Sequence, residues 1–464
     1  MRLSYRPLRI SSARRLAAFI VMFLSLTSMS ARAVKDIDIG AGHDCGSTRE
    51  NTPQIAVDAS DPNHVVMQYL LGEGDEGAIA SSRDGGATFT SELFTGITAC
   101  QQGEPGQLVD PFIAIGSGGR TLVTEGWVTW YADLRTDHDA LRQYALSTAG
   151  DAHVGDIADL DRAMGAQRAP VVFLPGSNDS VVAAYERFRT QMVGTYGSPW
   201  PVGESVAVVR SSDGGRTFSA PNVAFAPGPD RAAPTIGLVT SGGVIVLVVA
   251  ETDPVSFGIG FAGAVTRAAI PSGAARYYAL RSTDGGATFS APISVGSGYC
   301  CIGDVAAGPN GEVYVVWTDT TGAGVAMASS HDAGLTWTTS IIPTDGPAVE
   351  PAVAVSRTGE VGLFYYRTAH EGIPTLPKSV AGAGVPDAGG HDLLTPMLAR
   401  SATGGAAWAH VQLAAPFAVD EIADGSADGT PIGPYQDIAG IPSGFVVAAT
   451  VGSGTEEHVQ VFVR

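Results

Sequence analysis

The chain has 464 residues, 45% of them apolar, which is ample for a large core. Its 59 glycines and 28 prolines, against 16% charged residues, suit a turn-rich all-β protein rather than a helical or disordered one. A formal net charge of −19 argues against nucleic acid or anionic lipid as a partner.

Residues 1–33 read as a signal peptide. Arg2, Arg6, Arg9, Arg14 and Arg15 make a basic start, and residues 16–26 form an apolar run too short to span a bilayer comfortably. Ala31-Arg32-Ala33 has the form of a cleavage site, so the mature chain is expected to begin near Val34, in the periplasm or outside the cell. Removing residues 1–33 takes away six arginines and no acids, leaving −25. No membrane span is expected elsewhere, because the apolar run at 243–250 (GVIVLVVA) fits a buried strand.

From there one unit repeats: an apolar strand A, a turn, strand B, a variable loop, strand C, an Asp-containing turn and strand D. In the first unit these strands fall at 54–58, 64–70, 78–82 and 88–94. In the second they fall at 111–115, 120–127 and 141–147, with D unassigned. The third unit covers 168–225, the fourth 233–295, the fifth 302–342 and the sixth 349–413. The seventh, 433–464, has only three strands, and residues 34–39 (VKDIDI) can supply its fourth. This predicts a single domain over 34–464, a seven-bladed β-propeller of four-stranded antiparallel blades, closed by the N-terminal strand pairing with the last blade. A six-bladed count, with the weak second unit absorbed differently, is the alternative.

The Asp-containing turns read SRDGGATF at 82–89, SSDGGRTF at 211–218, STDGGATF at 282–289 and SHDAGLTW at 330–337. A worn copy at 401–408 carries Thr403 in place of the acid, and 147–154 is more degenerate still. Asp84, Asp213, Asp284 and Asp332 are placed to accept hydrogen bonds within their own turns, which makes them structural locks. The topology puts these turns on one face of the ring. The D–A and B–C connections lie on the other, and the long ones, 187–203, 251–275 and 368–395, are all B–C. Function is expected on that second face.

These repeats resemble the Asp-box, or bacterial neuraminidase repeat, of the sialidase-like superfamily, over nearly the whole mature chain. The resemblance implies an exported propeller that recognises a glycan, either binding or hydrolysing it. If it is an enzyme, it would be a glycoside hydrolase of exo-sialidase type. A sialidase site uses three arginines on a carboxylate, a Tyr–Glu pair as nucleophile and an Asp as acid/base. Tyr435-Gln436-Asp437-Ile438 is similar to the run around the sialidase nucleophile, and Glu350-Pro351 with Arg367 is similar to the strand-opening Glu and the arginine one hairpin later. The resemblance therefore implies Tyr435 as nucleophile, Glu350 as its activator, and Arg168, Arg231 and Arg367 as anion binders. The first unit departs from the sialidase Arg-Ile-Pro, reading Asn51-Thr52-Pro53, while Arg168-Ala169-Pro170 has that form in the third. The departure keeps a second reading in play, a non-catalytic protein-interaction or cell-envelope scaffold.

Glu350 and Asp304 occupy or adjoin A-strand starts and are expected to line the central funnel, and Asp437 is a further ligand-binding candidate. Tyr196 and Trp200 lie in a long loop, where their rings either stack on sugar or pin the loop to the propeller. Cys45 and Cys100 precede neighbouring A strands and are placed to bond, leaving Cys300–Cys301 as a vicinal disulfide or a dithiol; the rival pairing joins these two to Cys45 and Cys100 across the funnel. No cofactor or metal motif is present. The loop 133–139 offers Asp133, Asp137 and Asp139 as oxygen ligands for Ca²⁺, or is a solvated acidic loop. The expected partner is a saccharide or glycoconjugate, and the expected state is a monomer.

Overall fold

The computed structural model describes residues 35–36, 49–72, 74–103, 106–128, 141–148, 154–161, 166–177, 179–193, 198–228, 231–252, 274–299, 303–319, 324–370, 392–418, 435–442, 444–453 and 456–464. The described residues form seven antiparallel sheets, five of four strands and two of five. Each corresponds to one sequence repeat. In the first blade the strands run Glu50–Val57, Val65–Leu71, Glu76–Ser82 and Thr90–Leu93, from the axis outward. The innermost strands of the next six are Gln107–Ile115, Val171–Phe173, Thr235–Ser241, Gly303–Ala307, Ala348–Val355 and Asp437–Ile441. Each touches the innermost strand of the next blade, and the last touches the first, so the ring is closed. The propeller lies within one compact unit, Val34–Val463.

Closure works as the alternation at the N-terminus predicts. Lys35 pairs with Val461 and Asp36 with Gln460, which puts the N-terminal strand on the outer edge of the seventh blade. That edge is thereby paired rather than left open. The second repeat makes its own sheet, with Val154–Asp161 as the outer strand that the sequence left unassigned. The third blade departs from expectation. Much of the loop expected at 187–203 is strand, because Val181–Val193 and Ser198–Ser211 pair as one long hairpin with a bulge after Arg189.

Burial explains the strand composition. Second strands such as Val65–Leu71 are buried along their whole length, since each blade is covered on both faces by its neighbours. Outermost strands such as Thr90–Leu93 alternate between exposed and half-buried residues. Between the fourth and fifth blades Tyr277 stacks on Trp317 with ring centroids 4.7 Å apart. Trp317 fits because its neighbours are Gly296 and Gly298: a Cβ on Gly296 would stand 2.8 Å from the indole, and one on Gly298 would overlap it.

The repeated turns close at the far ends of the third strands. In the first, Ser82 Oγ donates to Asp84 Oδ1 (2.8 Å), and Thr88 donates to Asp84 from both its backbone N–H (2.8 Å) and its hydroxyl (2.7 Å). Ser82 Oγ accepts from Gly86 N–H (2.9 Å). The same set forms around Asp213, Asp284 and Asp332. At the worn copy Thr403 Oγ1 takes the carboxylate's place and accepts from Ala407 N–H (3.0 Å). All four aspartates are thus occupied in their turns, on the face away from the starts of the innermost strands.

Candidate functional site

The face where the innermost strands begin carries an unusual backbone. Thr52, Asp110, Arg168 and Glu350 are non-glycine residues with φ of 52°, 50°, 48° and 49°. Thr52, Asp110 and Glu350 each precede a proline, and at each the register slips: between Asn51 and Gln54, Val109 and Phe112, and Val349 and Ala352. The physical cause is local. Proline has no N–H to give the ladder and bars its predecessor from the right-handed helical region. The strand then bulges, and the residue before proline is turned out of the pleat. A left-handed non-glycine residue costs on the order of 1–3 kcal/mol, and such strain gathers where a side chain must be aimed.

Around Asp110 and Arg168 lies a buried polar cluster. The Arg168 guanidinium sits 5.5 Å from the centre of the Tyr435 ring. Arg168 Nε is 3.9 Å from Asp110 Oδ1 and 3.8 Å from Glu186 Oε1. Glu186 Oε1 also accepts from Thr235 N–H (2.8 Å), and Glu204 Oε2 accepts from Ala233 N–H (2.7 Å), tying the third blade to the fourth. Phe112 packs on Tyr435 with centroids 5.8 Å apart.

The electrostatics of the cluster follow from burial. Burial alone would lower the Arg168 pKa, but Tyr435, Glu186, Asp110 and Glu204 outweigh it and hold the guanidinium charged. Burial pushes Glu186 well above the usual carboxylate range, opposed by Arg168. It pushes Glu204 up to about 7. Burial also raises the Tyr435 phenol far above its ordinary value; Arg168 opposes this, and the negative charge of Asp110 adds to it. Among the described residues the Tyr435 hydroxyl has no hydrogen-bond partner, and Asp110 is near enough for its carboxylate to hold the phenol's proton on.

Glu350 stands on another side of Tyr435. It lines the same small cavity as Tyr435, of about 30 Å³, but its Oε2 accepts from Gln436 Nε2 (3.4 Å) and its charge acts on Tyr366. Tyr366 in turn donates to Thr450 O (2.6 Å). The carboxylates whose charges act on the Tyr435 phenol are Asp110 and Glu186. Arg231 pairs with Glu251 (3.3 Å), and Arg367 lies by Tyr365 and Gly346 in the sixth blade. Of the three arginines singled out in the sequence, Arg168 alone is placed with Tyr435 by these contacts.

Asp304, Glu350 and Asp437 all line the neck of the central channel. Asp304 accepts from Val305 N–H (2.7 Å) and from Val353 N–H of the next blade (2.8 Å). Asp437 accepts from Ile438 N–H (2.7 Å) and from Ile55 N–H of the first blade (2.8 Å). Burial pushes Asp304 up to about 7, and burial with the charge of Asp304 raises Asp437 further above its ordinary value. Beyond this neck the channel widens to about 400 Å³, lined largely by apolar residues such as Val171, Leu238 and Val353.

Trp200 lies in the strand Ser198–Ser211 opposite Gln191, with its side chain outside the described residues. Tyr196, Cys45, Cys300, Cys301 and the loop 133–139 also lie outside them. Cys100 is disulfide-bonded, and its pairing stays as the sequence leaves it. Among the described residues no group of three or more His, Cys, Asp or Glu is placed to hold a metal ion, and no helix is long and apolar enough to cross a membrane.

With this geometry in hand, comparison with known proteins gives the following. No family model matches the chain, and no curated protein matches its sequence. Among solved structures it is similar to a PL25 ulvan lyase bound to a GlcA–Rha3S saccharide, with TM-score 0.53 and 11% identity over 90% of this chain and 95% of that one. It is also similar to a Hadza microbial sialidase (TM-score 0.46, 15% identity, 93% of this chain and 68% of that one). The NanB sialidase of Streptococcus pneumoniae aligns with TM-score 0.45 and 13% identity, over 93% and 70%. What is shared at such identities is the propeller arrangement. Asp110, Glu186 and Glu204 were missed in the sequence because a lone carboxylate in a strand has no local signature. Asp110-Pro111 does share the strand-opening form of Glu350-Pro351, and that form was the available signal.

Proposed function

We propose that this chain is an exported propeller that processes an anionic saccharide at the Tyr435–Asp110–Arg168 cluster. The observation that carries the reading is the placement of a buried phenol beside a carboxylate and beneath a guanidinium, with both charged residues held in left-handed backbone. A carboxylate in that position can take the phenol's proton, and the guanidinium can neutralise the phenolate or bind the substrate's acid group. A phenol suits an anionic substrate better than a carboxylate nucleophile, which would repel it. Fold similarity to sialidases and to a polysaccharide lyase agrees with a saccharide as ligand. Asp110, rather than Glu350, then has the activator's role.

The test is a panel of fluorogenic sialosides, uronides and neutral glycosides, run with the wild type and with Tyr435→Phe and Asp110→Asn. Turnover of an anionic member, reduced about 10³-fold in both variants, is expected. Undiminished turnover in Tyr435→Phe would refute the assignment. The separation of Arg231 and Arg367 from the cluster favours a second reading, saccharide binding without turnover. Retention on an anionic glycan array with no activity on any substrate would select it.

A further inference from the structure

Glu125 is a buried acid that the proposed chemistry does not use. It lies on the second strand of the second blade, Thr121–Val128, with no exposed surface. Register puts it across from the bulge: Val109 pairs with Gly126 and Phe112 with Thr124, so Glu125 stands opposite Asp110-Pro111. Gln68 of the first blade donates to Glu125 Oε1, while Glu125 Oε2 has no hydrogen-bond partner among the described residues. The groups around it are Asp110 from the innermost strand and the uncharged Gln68 from the first blade. Its register partner on the third strand is Tyr144. Beyond Asp110 lie Arg168, Glu186 and Tyr435. Arg168 is not among the charges that act on Glu125; burial, then Asp110, act on it, and both favour the neutral acid. An ionised carboxylate buried without a cation is too costly to keep, and such a group takes up a proton instead.

We propose that Glu125 holds a proton and donates it to the Asp110 carboxylate, which makes it the positioning residue that fixes which Asp110 oxygen faces the Tyr435 hydroxyl. The catalytic consequence rests on the function proposed above, but the proton itself does not. A neutral Glu125 has one acceptor oxygen for the Gln68 amide N–H and one O–H for Asp110. An ionised Glu125 would offer only acceptors to an acceptor.

The sign of the pH effect is set by the raised folded-state value. The stability tied to this proton is fully present below the ordinary glutamate value of about 4.3 and is lost as pH rises above it, by about tenfold in the folded-to-unfolded ratio per pH unit. Glu125→Gln keeps the shape and a donor and stays neutral at every pH. Chemical denaturation of the full chain from about pH 4 to about pH 8 should therefore show Glu125→Gln matching the wild type at the acid end and lacking that slope. In an Asp110→Asn background the slope assigned to Glu125 should shrink, because its charged neighbour is gone. Glu125→Leu, which leaves both Gln68 and Asp110 without their partner, should lose stability at every pH. With an active substrate, Glu125→Gln should alter the alkaline limb of kcat and leave KM within about twofold. The same pH slope in Glu125→Gln as in the wild type would overturn the proposal, as would equal destabilisation at both ends of the range. If no saccharide is turned over, the proposed function fails while the denaturation series still decides the protonation of Glu125.

Discussion

Tyr435 and Arg168 were legible as candidates because each sits in a recognisable run, and the fold brings their side chains together. Asp110 meets Arg168 only when the second and third blades pack together. The repeated aspartates behave in the opposite way, since everything they do is encoded within eight residues. Asp332 accepts from Thr336 through both side chain and backbone, and from Ser330 and Leu335, which holds its pKa down at about 2. The stabilisation this gives is fully present above the ordinary aspartate range and is lost as pH falls toward about 2. Asp332→Ala should lower the denaturation midpoint at neutral pH, and the gap from wild type should close as the solution is made more acid. A gap that stayed constant with pH would show that the ionised carboxylate is not what locks the turn.

At the scale of the strand, the repeat spacing located nearly every blade element, because buried runs and glycine-rich turns are local features. The bulges were not legible in the same way. Thr52-Pro53, Asp110-Pro111 and Glu350-Pro351 show a strand opening on proline, but the slip of register needs a partner strand to be seen. The long hairpin of the third blade was read as a loop because its strands run well beyond the blade's usual length. Packing between blades makes glycine mandatory beside Trp317. Gly298→Ala would drive a methyl into the indole ring, whose backbone is fixed in a central strand, and should cost about 1–3 kcal/mol in equilibrium unfolding. Wild-type stability in that variant would contradict the packing described between the fourth and fifth blades.

For the whole molecule, closure into a ring is what converts seven similar hairpin sheets into a site. Each blade presents the start of its innermost strand to a common axis. The blades differ in what they present there: Asp110, Arg168 and Tyr435 from three of them, and Asp304, Asp437 and Glu350 at the channel neck, Glu350 bonded to Gln436. The turns are on the opposite face, so the recognisable repeats and the buried polar cluster are separated by the depth of the propeller. The repeats made the architecture readable, and the site depends on side chains that the repeats leave free to vary. The most direct measurement is incubation of the full chain with fluorinated anionic glycosyl fluorides, followed by intact mass and peptide mapping. A single glycosyl adduct on Tyr435, absent from Tyr435→Phe and slowed in Asp110→Asn, is the predicted result. Turnover of an anionic glycoside with no adduct and no loss of rate in Tyr435→Phe would contradict the account.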